Sequence, residues 1–181
     1  PTVSILVATK KSQMPADDSA TARDSLDGDA SPSTTRRRRY LGAVLATLVA
    51  LLHLLDPNHG LLELFDLLYT TPQALVFDPR PVAFVVSATA LLIGVSLSRN
   101  APNRQPYYVA GVALALTYVV GYLAWHLTGH GGFLPGREPL LHGISPVGNV
   151  VRHLTGDPWA AASMASELGL IAVLTTLLRR E

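Results

Sequence analysis

Cysteine is absent from the chain. That gap removes disulfides, thiolate metal sites, iron–sulfur ligation and cysteine nucleophiles from consideration. Lysine is nearly absent, confined to Lys10 and Lys11, so the strong bases beyond Met14 are all arginines. Charge is scarce as well: Asp, Glu, Lys and Arg make up 15% of 181 residues, and the mean hydropathy is +0.31. A soluble domain carries about 25% charged residues, so a membrane protein is the class to test first. The sequence has no phosphate-binding glycine loop followed by Lys, no nucleophile-elbow serine and no pair of acids on one helical face. The common nucleotide-binding and hydrolase signatures are therefore missing.

What is present is unevenly distributed. Residues 1–39 are polar and charged, whereas nearly everything from Tyr40 onward is apolar runs joined by Pro/Gly-rich connectors. From Met14 on, twelve arginines face thirteen acids, a net of one negative charge. Lysine avoidance with Asp-, Ala- and Thr-rich usage looks like a halophilic archaeal proteome, although a GC-rich genome alone would also exchange Lys for Arg. The composition changes at Met14, which marks Met14 as the expected natural start and residues 1–13 as an upstream extension or fragment end. Residues 1–39 read as a disordered polar tail, because they hold too little apolar surface to offset the entropy of ordering. The tail ends in Arg36, Arg37, Arg38 and Arg39, directly against an apolar run and without aromatic interleaving beyond Tyr40. This placement reads as a membrane orientation signal, and no nucleic-acid partner is expected.

Residues 40–181 read as an all-α, four-helix transmembrane domain. Tyr40 to Leu55 has no charge and only His53 as a strongly polar group; at ~1.5 Å per residue it approaches the ~30 Å hydrocarbon thickness. A cleaved signal peptide is the rival reading, but Leu54, Leu55, Asp56 and Pro57 follow in place of a small-residue cleavage site. The other spans are expected from Pro81 to Ser98, from Tyr107 to about Leu127 and from Pro158 to Leu178. Asp157 before Pro158 is a strong start signal, since an Asp cap accepts free amide hydrogens and Pro suits the first turn. With the N-terminus inside, eight arginines flank the inner ends and Arg80, Arg137 and Arg152 lie outside. This count sets both termini on the cytoplasmic side of the cell membrane.

Two outer connectors carry helical periodicity. Leu61, Leu62, Leu64, Phe65 and Leu68 share a face opposite Glu63 and Asp66, while Val147, Val150, Val151 and Leu154 share one after Ser145 and Pro146. Both read as short interfacial helices. Small residues recur four apart at Gly42, Ala46 and Ala50, at Ala83 and Ser87, at Gly111 and Ala115, and at Ala161, Ala165 and Gly169. Stripes of this kind let helix backbones approach where lipid supplies no hydrophobic drive.

All six histidines fall in the outer half under this topology. His126 and His130 stand four apart at the end of the third span, a spacing that puts both on one helical face as candidate metal ligands; the glycines at 129, 131 and 132 are expected to end the helix there. His53 lies ~21 Å along its helix from Arg39, and Glu167 ~18 Å from Arg179. The two are therefore expected at similar depth, with Ser166, Tyr118 and Tyr122 as hydrogen-bonding neighbours and Trp125 as an interface anchor. An intramembrane carboxylate is costly and is ordinarily turned toward a partner. His53, His126, His130 and Glu167 are thus the candidate cofactor-binding residues, and the sequence does not select among a metal, haem or quinone.

The segments "VALLHL" at Val49 to Leu54, "YYVAGVAL" at Tyr107 to Leu114 and "SPVG" at Ser145 to Gly148, with a Leu/Val-rich last helix ending in Arg179 and Arg180, resemble small four-helix membrane proteins of halophilic archaea that have no assigned function. The resemblance implies a fold class and a membrane home, with no activity to carry over. Three functions remain open. One is an accessory or interaction subunit without catalysis, partnered by another membrane protein or by copies of itself within the lipid bilayer. The others are a histidine-based metal, haem or quinone module and a proton-linked transporter subunit.

Overall fold

The computed structural model describes residues 32–180; of the disordered tail expected over residues 1–39, residues 1–31 lie outside them, and residues 32–39 are helical, not disordered. Among the described residues the chain is helical and without strands: α1 Pro32–Leu54, α2 Leu61–Thr70, α3 Ala74–Phe77, α4 Arg80–Ser98, α5 Gln105–Leu127, α6 Pro146–Gly156 and α7 Pro158–Leu178. Proline occupies the first turn of α4, α5, α6 and α7, where its missing N–H has no intrahelical partner to lose. Asp157 caps α7 by accepting from the amides of Trp159 (2.9 Å) and Ala160 (3.3 Å), and Ser145 caps α6 by accepting from Gly148 (3.1 Å).

Helix α1 begins at Pro32, upstream of the apolar run that starts at Tyr40. Arginine is a strong helix former, and a helix nucleated in the apolar run propagates cheaply back through it. The single-turn helix α3 has no counterpart among the sequence expectations.

Helix α7 packs on both α1 and α5, α1 also packs on α4, and α4 touches α5 only sparingly. The indole of Trp159, at the start of α7, donates to the Leu52 carbonyl near the end of α1 (2.8 Å), so these two helices are antiparallel. Their crossing is close because Gly42 faces Val173 and Leu174. At the α5–α7 contact, a Cβ on Gly111 would stand 2.7 Å from Leu174 Cδ1. The α4 stripe falls elsewhere: Ala83 is exposed and Ala88 is the buried small residue, since spacing alone does not say which side of a helix meets a neighbour.

The core is built from Ala46, Val49 and Ala50 of α1, Ala88 and Leu91 of α4, Tyr108 and Ala115 of α5, and Leu170, Leu174 and Leu177 of α7. Large apolar side chains lie on the outside instead, among them Val44, Leu48, Val86, Ile93, Leu116 and Val120. A belt of this kind is rare on a soluble monomer and natural against lipid, which is as apolar as leucine. Among the described residues α4, α5 and α7 are long and apolar enough to cross a membrane. Helix α1 carries four arginines ahead of its apolar stretch and is not one of those three.

Candidate functional site

The candidate residues fall into two groups arranged along α5. The first lies inside the helical packing. His53, on the inward face of α1, and Glu167, on that of α7, are each 3% exposed, and His53 Nε2 stands 3.3 Å from Glu167 Oε1. His53 Nδ1 lies 2.8 Å from the Val49 carbonyl oxygen. A carbonyl only accepts, so Nδ1 carries its hydrogen, and Nε2 is the nitrogen turned toward the Glu167 carboxyl group. A carboxyl group buried among apolar helices is ordinarily turned toward such a partner.

Aromatic rings wall in this pair. Tyr118 of α5 stacks on the His53 ring at 3.9 Å and Phe84 of α4 meets it edge-on at 4.5 Å. Ser87 gives its hydroxyl hydrogen to the Ala83 carbonyl, so the Tyr118 hydroxyl donates to Ser87. The expected hydrogen-bonding neighbours thus take other roles: Tyr118 contributes a ring face, Ser166 donates to Ser163 of its own helix (2.9 Å), and Tyr122 packs on His126 (4.2 Å).

The second group begins about two helical turns further along α5 and holds four histidines. His126 ends the helix; Gly129, His130 and Gly131 then follow with φ of 69°, 57° and 81°. Left-handed backbone is nearly free for glycine, and this turn stops α5 at Leu127 before it reaches His130. His126 and His130 are accordingly not a same-face helical pair. They meet because the turn folds His130 back, with ring centroids 5.3 Å apart. A Cβ on Gly131 would stand 2.7 Å from the Trp125 ring, so the turn closes tightly over that indole, which is also flanked by Arg80 (3.9 Å) and Arg137 (4.7 Å). Arg137 donates to the His130 carbonyl (3.0 Å) and holds the turn from outside.

Helix α6 supplies the next imidazole. Asn149, fully buried, donates its side-chain amide to the His126 carbonyl (2.7 Å) and so docks α6 on the end of α5. His153, one turn beyond Asn149, is carried to 4.7 Å from the His130 ring and 4.9 Å from the His126 ring. His142 arrives from the connecting loop, its Nε2 3.2 Å from His130 Nε2. The ligand nitrogens of His130, His142 and His153 all lie within 4.8 Å of one another. Three imidazoles bound tetrahedrally at ~2.0–2.1 Å place their nitrogens about 3.3 Å apart, so the His130–His142 pair already has ligand spacing. His153 Nε2 is buried without a hydrogen-bond partner, a cost that a bound cation would relieve.

The electrostatics suit a cation-binding lone-pair cluster. Burial, reinforced by the neighbouring His153, His126, His142 and Arg80, pushes His130 down to about 4. Burial, with His142 and Arg152 beside it, lowers His153 as well. Neutral rings are the form that ligates metal. Among the described residues, His130 and His142 (φ 53°) are the non-glycine residues with positive φ, and strained backbone concentrates at functional sites. His142, His153 and Asn149 were missed by local spacing; the available sign was the gathering of all six histidines on the outer side under the expected topology. The remaining histidine, His59, pairs with Asp56 (3.3 Å) at the end of α1.

No protein-family model matches the chain, and comparison with curated proteins and with solved structures also gives no match.

Proposed function

We propose that the chain is a four-span membrane protein that binds one divalent first-row transition-metal ion through His130, His142 and His153 on its outer side, with His126 as the adjoining fourth imidazole. The observation that carries the reading is the convergence of ligand nitrogens of His130, His142 and His153 within 4.8 Å of one another, in a cluster where His153 also holds a buried, unpartnered Nε2. All-imidazole donors suit Zn, Cu, Ni or Fe better than Mg or Ca, which prefer oxygen. The topology is supported by α1, whose apolar stretch packs against α7 and α4, and by the arginine bias toward the ends read as cytoplasmic. Under the same topology α2 and α6 lie at the outer interface: Leu62, Phe65 and Leu68 of α2 and Val147 and Val151 of α6 are exposed apolar side chains.

The test is zinc titration of metal-stripped, detergent-purified protein by calorimetry, with metal content checked by mass spectrometry. Wild type is expected to bind one ion per chain, and His153→Ala to weaken binding at least tenfold. Equal zinc uptake by wild type and by the His130→Ala/His142→Ala/His153→Ala variant would remove the reading.

A specific observation favours a second reading, in which the buried His53–Glu167 pair takes up and releases a proton during transport. Carboxyl and imidazole side chains paired within a bundle of spanning helices are the groups from which proton relays are built. In reconstituted vesicles, Glu167→Gln would then abolish a pH-driven flux that wild type supports. Absence of any such flux in wild type would leave the pair as a bond between α1 and α7.

A further inference from the structure

At the opposite end from the histidines, beside the short connector 99–104, lies a cavity of about 750 Å³ bounded by α1, α4, α5 and α7, within the ~300–1,000 Å³ range of ligand pockets. Its walls are apolar and lined with small residues, Ala43 and Ala46 from α1, Ala90 and Gly94 from α4, Ala110 and Gly111 from α5, which is why the helices enclose space here and not side chains. Its rim holds Arg36 and Arg39 of α1 with Arg99 and Arg104 of the connector, and among the described residues none that lines it is acidic. Arg104 is held in place by its own donations to the Ser98 carbonyl (3.0 Å) and the Arg99 carbonyl (3.1 Å). Arg36 lies over the Tyr40 ring at 5.6 Å.

We infer that this groove binds one anionic phospholipid, its phosphate among the four arginines and an acyl chain between the small-residue walls of α1, α4 and α5. A void of this size would leave its lining without dispersion contacts, and in a bilayer the molecule at hand to fill it is a lipid chain. The charge selects the headgroup. Guanidinium groups match phosphate geometry in a bidentate way, and a basic pocket between spanning helices on the cytoplasmic side is a favourable place for an anionic lipid. The inference rests on the membrane-spanning reading of these helices and is independent of the metal site.

The experiment is native mass spectrometry of the full chain in mild detergent, offered phosphatidylglycerol, phosphatidylcholine or inorganic phosphate at equal concentration. One phosphatidylglycerol per chain should be retained, with about tenfold preference over phosphatidylcholine and no retention of phosphate alone. Arg99→Gln/Arg104→Gln should erase the preference. Gly94→Phe should abolish retention by filling the groove; a Cβ at Gly94 meets nothing within 4 Å, so the helix tolerates the change. Equal retention of both lipids overturns the proposal, as does phosphate binding that Gly94→Phe leaves intact, which would mark an anion site without a chain groove. A groove filled by a second copy would appear as a dimer that Gly94→Phe dissociates. A groove filled by the acidic N-terminal segment would appear as retention only after Asp24, Asp27 and Asp29 become Asn. Either result also overturns the proposal. If the spanning reading itself fails, the protein stays in solution without detergent and holds neither lipid, a result distinct from retention without selectivity.

Discussion

At His142 the backbone conformation and the proposed metal site make opposite demands. It is exposed and held at φ 53°, a conformation that costs a non-glycine residue about 1 kcal/mol or more. His142→Gly is therefore expected to raise the melting temperature of the metal-free protein by a few degrees while weakening zinc binding at least tenfold. The check is to compare it with His142→Ala, which keeps the strain. If both variants melt together, the backbone at 142 is not stored cost. His130 makes a pH prediction at the same scale. Its ordinary value is 6.5 and its folded value about 4, so between those values the unfolded chain takes up a proton that the folded chain refuses. The contribution is complete above about pH 6.5 and is lost as the pH falls toward 4. Thermal melts of metal-free protein from pH 7.5 to 4 should lose stability through this window, and His130→Asn should flatten the loss. Parallel slopes would show that His130 is not the titrating group.

Elements were more legible than their junctions. The helix expected from Pro158 to Leu178 is α7 with those bounds, because Asp157, Pro158 and the terminal arginines announce it locally. The depth count that put His53 near Glu167 used only rise per residue and the positions of Arg39 and Arg179. It needed no knowledge of packing, and the two side chains do meet. The histidine cluster was legible only in part, because it depends on how the loop between α5 and α6 returns. That path is set by left-handed residues at 129–131 and by the Asn149 bond to the His126 carbonyl, which spans a separation local pattern does not reach. The α1–α7 contact gives an energetic test. Glu167→Leu leaves His53 Nε2 buried without its partner and should cost about 1–3 kcal/mol. Glu167→Leu combined with His53→Phe removes both polar groups and should recover part of that loss. A double variant as unstable as the sum of the two single changes would mean the groups do not interact, however close they lie.

The whole molecule turns on whether α1 crosses the bilayer. Its apolar part, Tyr40 to Leu54, is about 22 Å long by the helical rise, short of a ~30 Å core. Arginine stems can extend alongside the first turn while their guanidinium groups reach the interface, which narrows the gap. The contacts of α1 with α7 and α4 align it with helices that are themselves long and apolar enough to span. If α1 spans, Ser33, Asn103 and Arg180 share one side and Gly136 faces the other; if it does not, Ser33 joins Gly136. Because the chain has no cysteine, single substitutions Ser33→Cys, Asn103→Cys, Gly136→Cys and Arg180→Cys report without background. A membrane-impermeant maleimide applied to intact cells should label the variant at 136 alone and reach the other three only after lysis. Labelling at 33 before lysis would reduce the spans to three and place the termini on opposite sides. The histidine cluster would keep its geometry in that case, but the arginine-rimmed groove would lose one of its walls from the membrane, and its lipid with it.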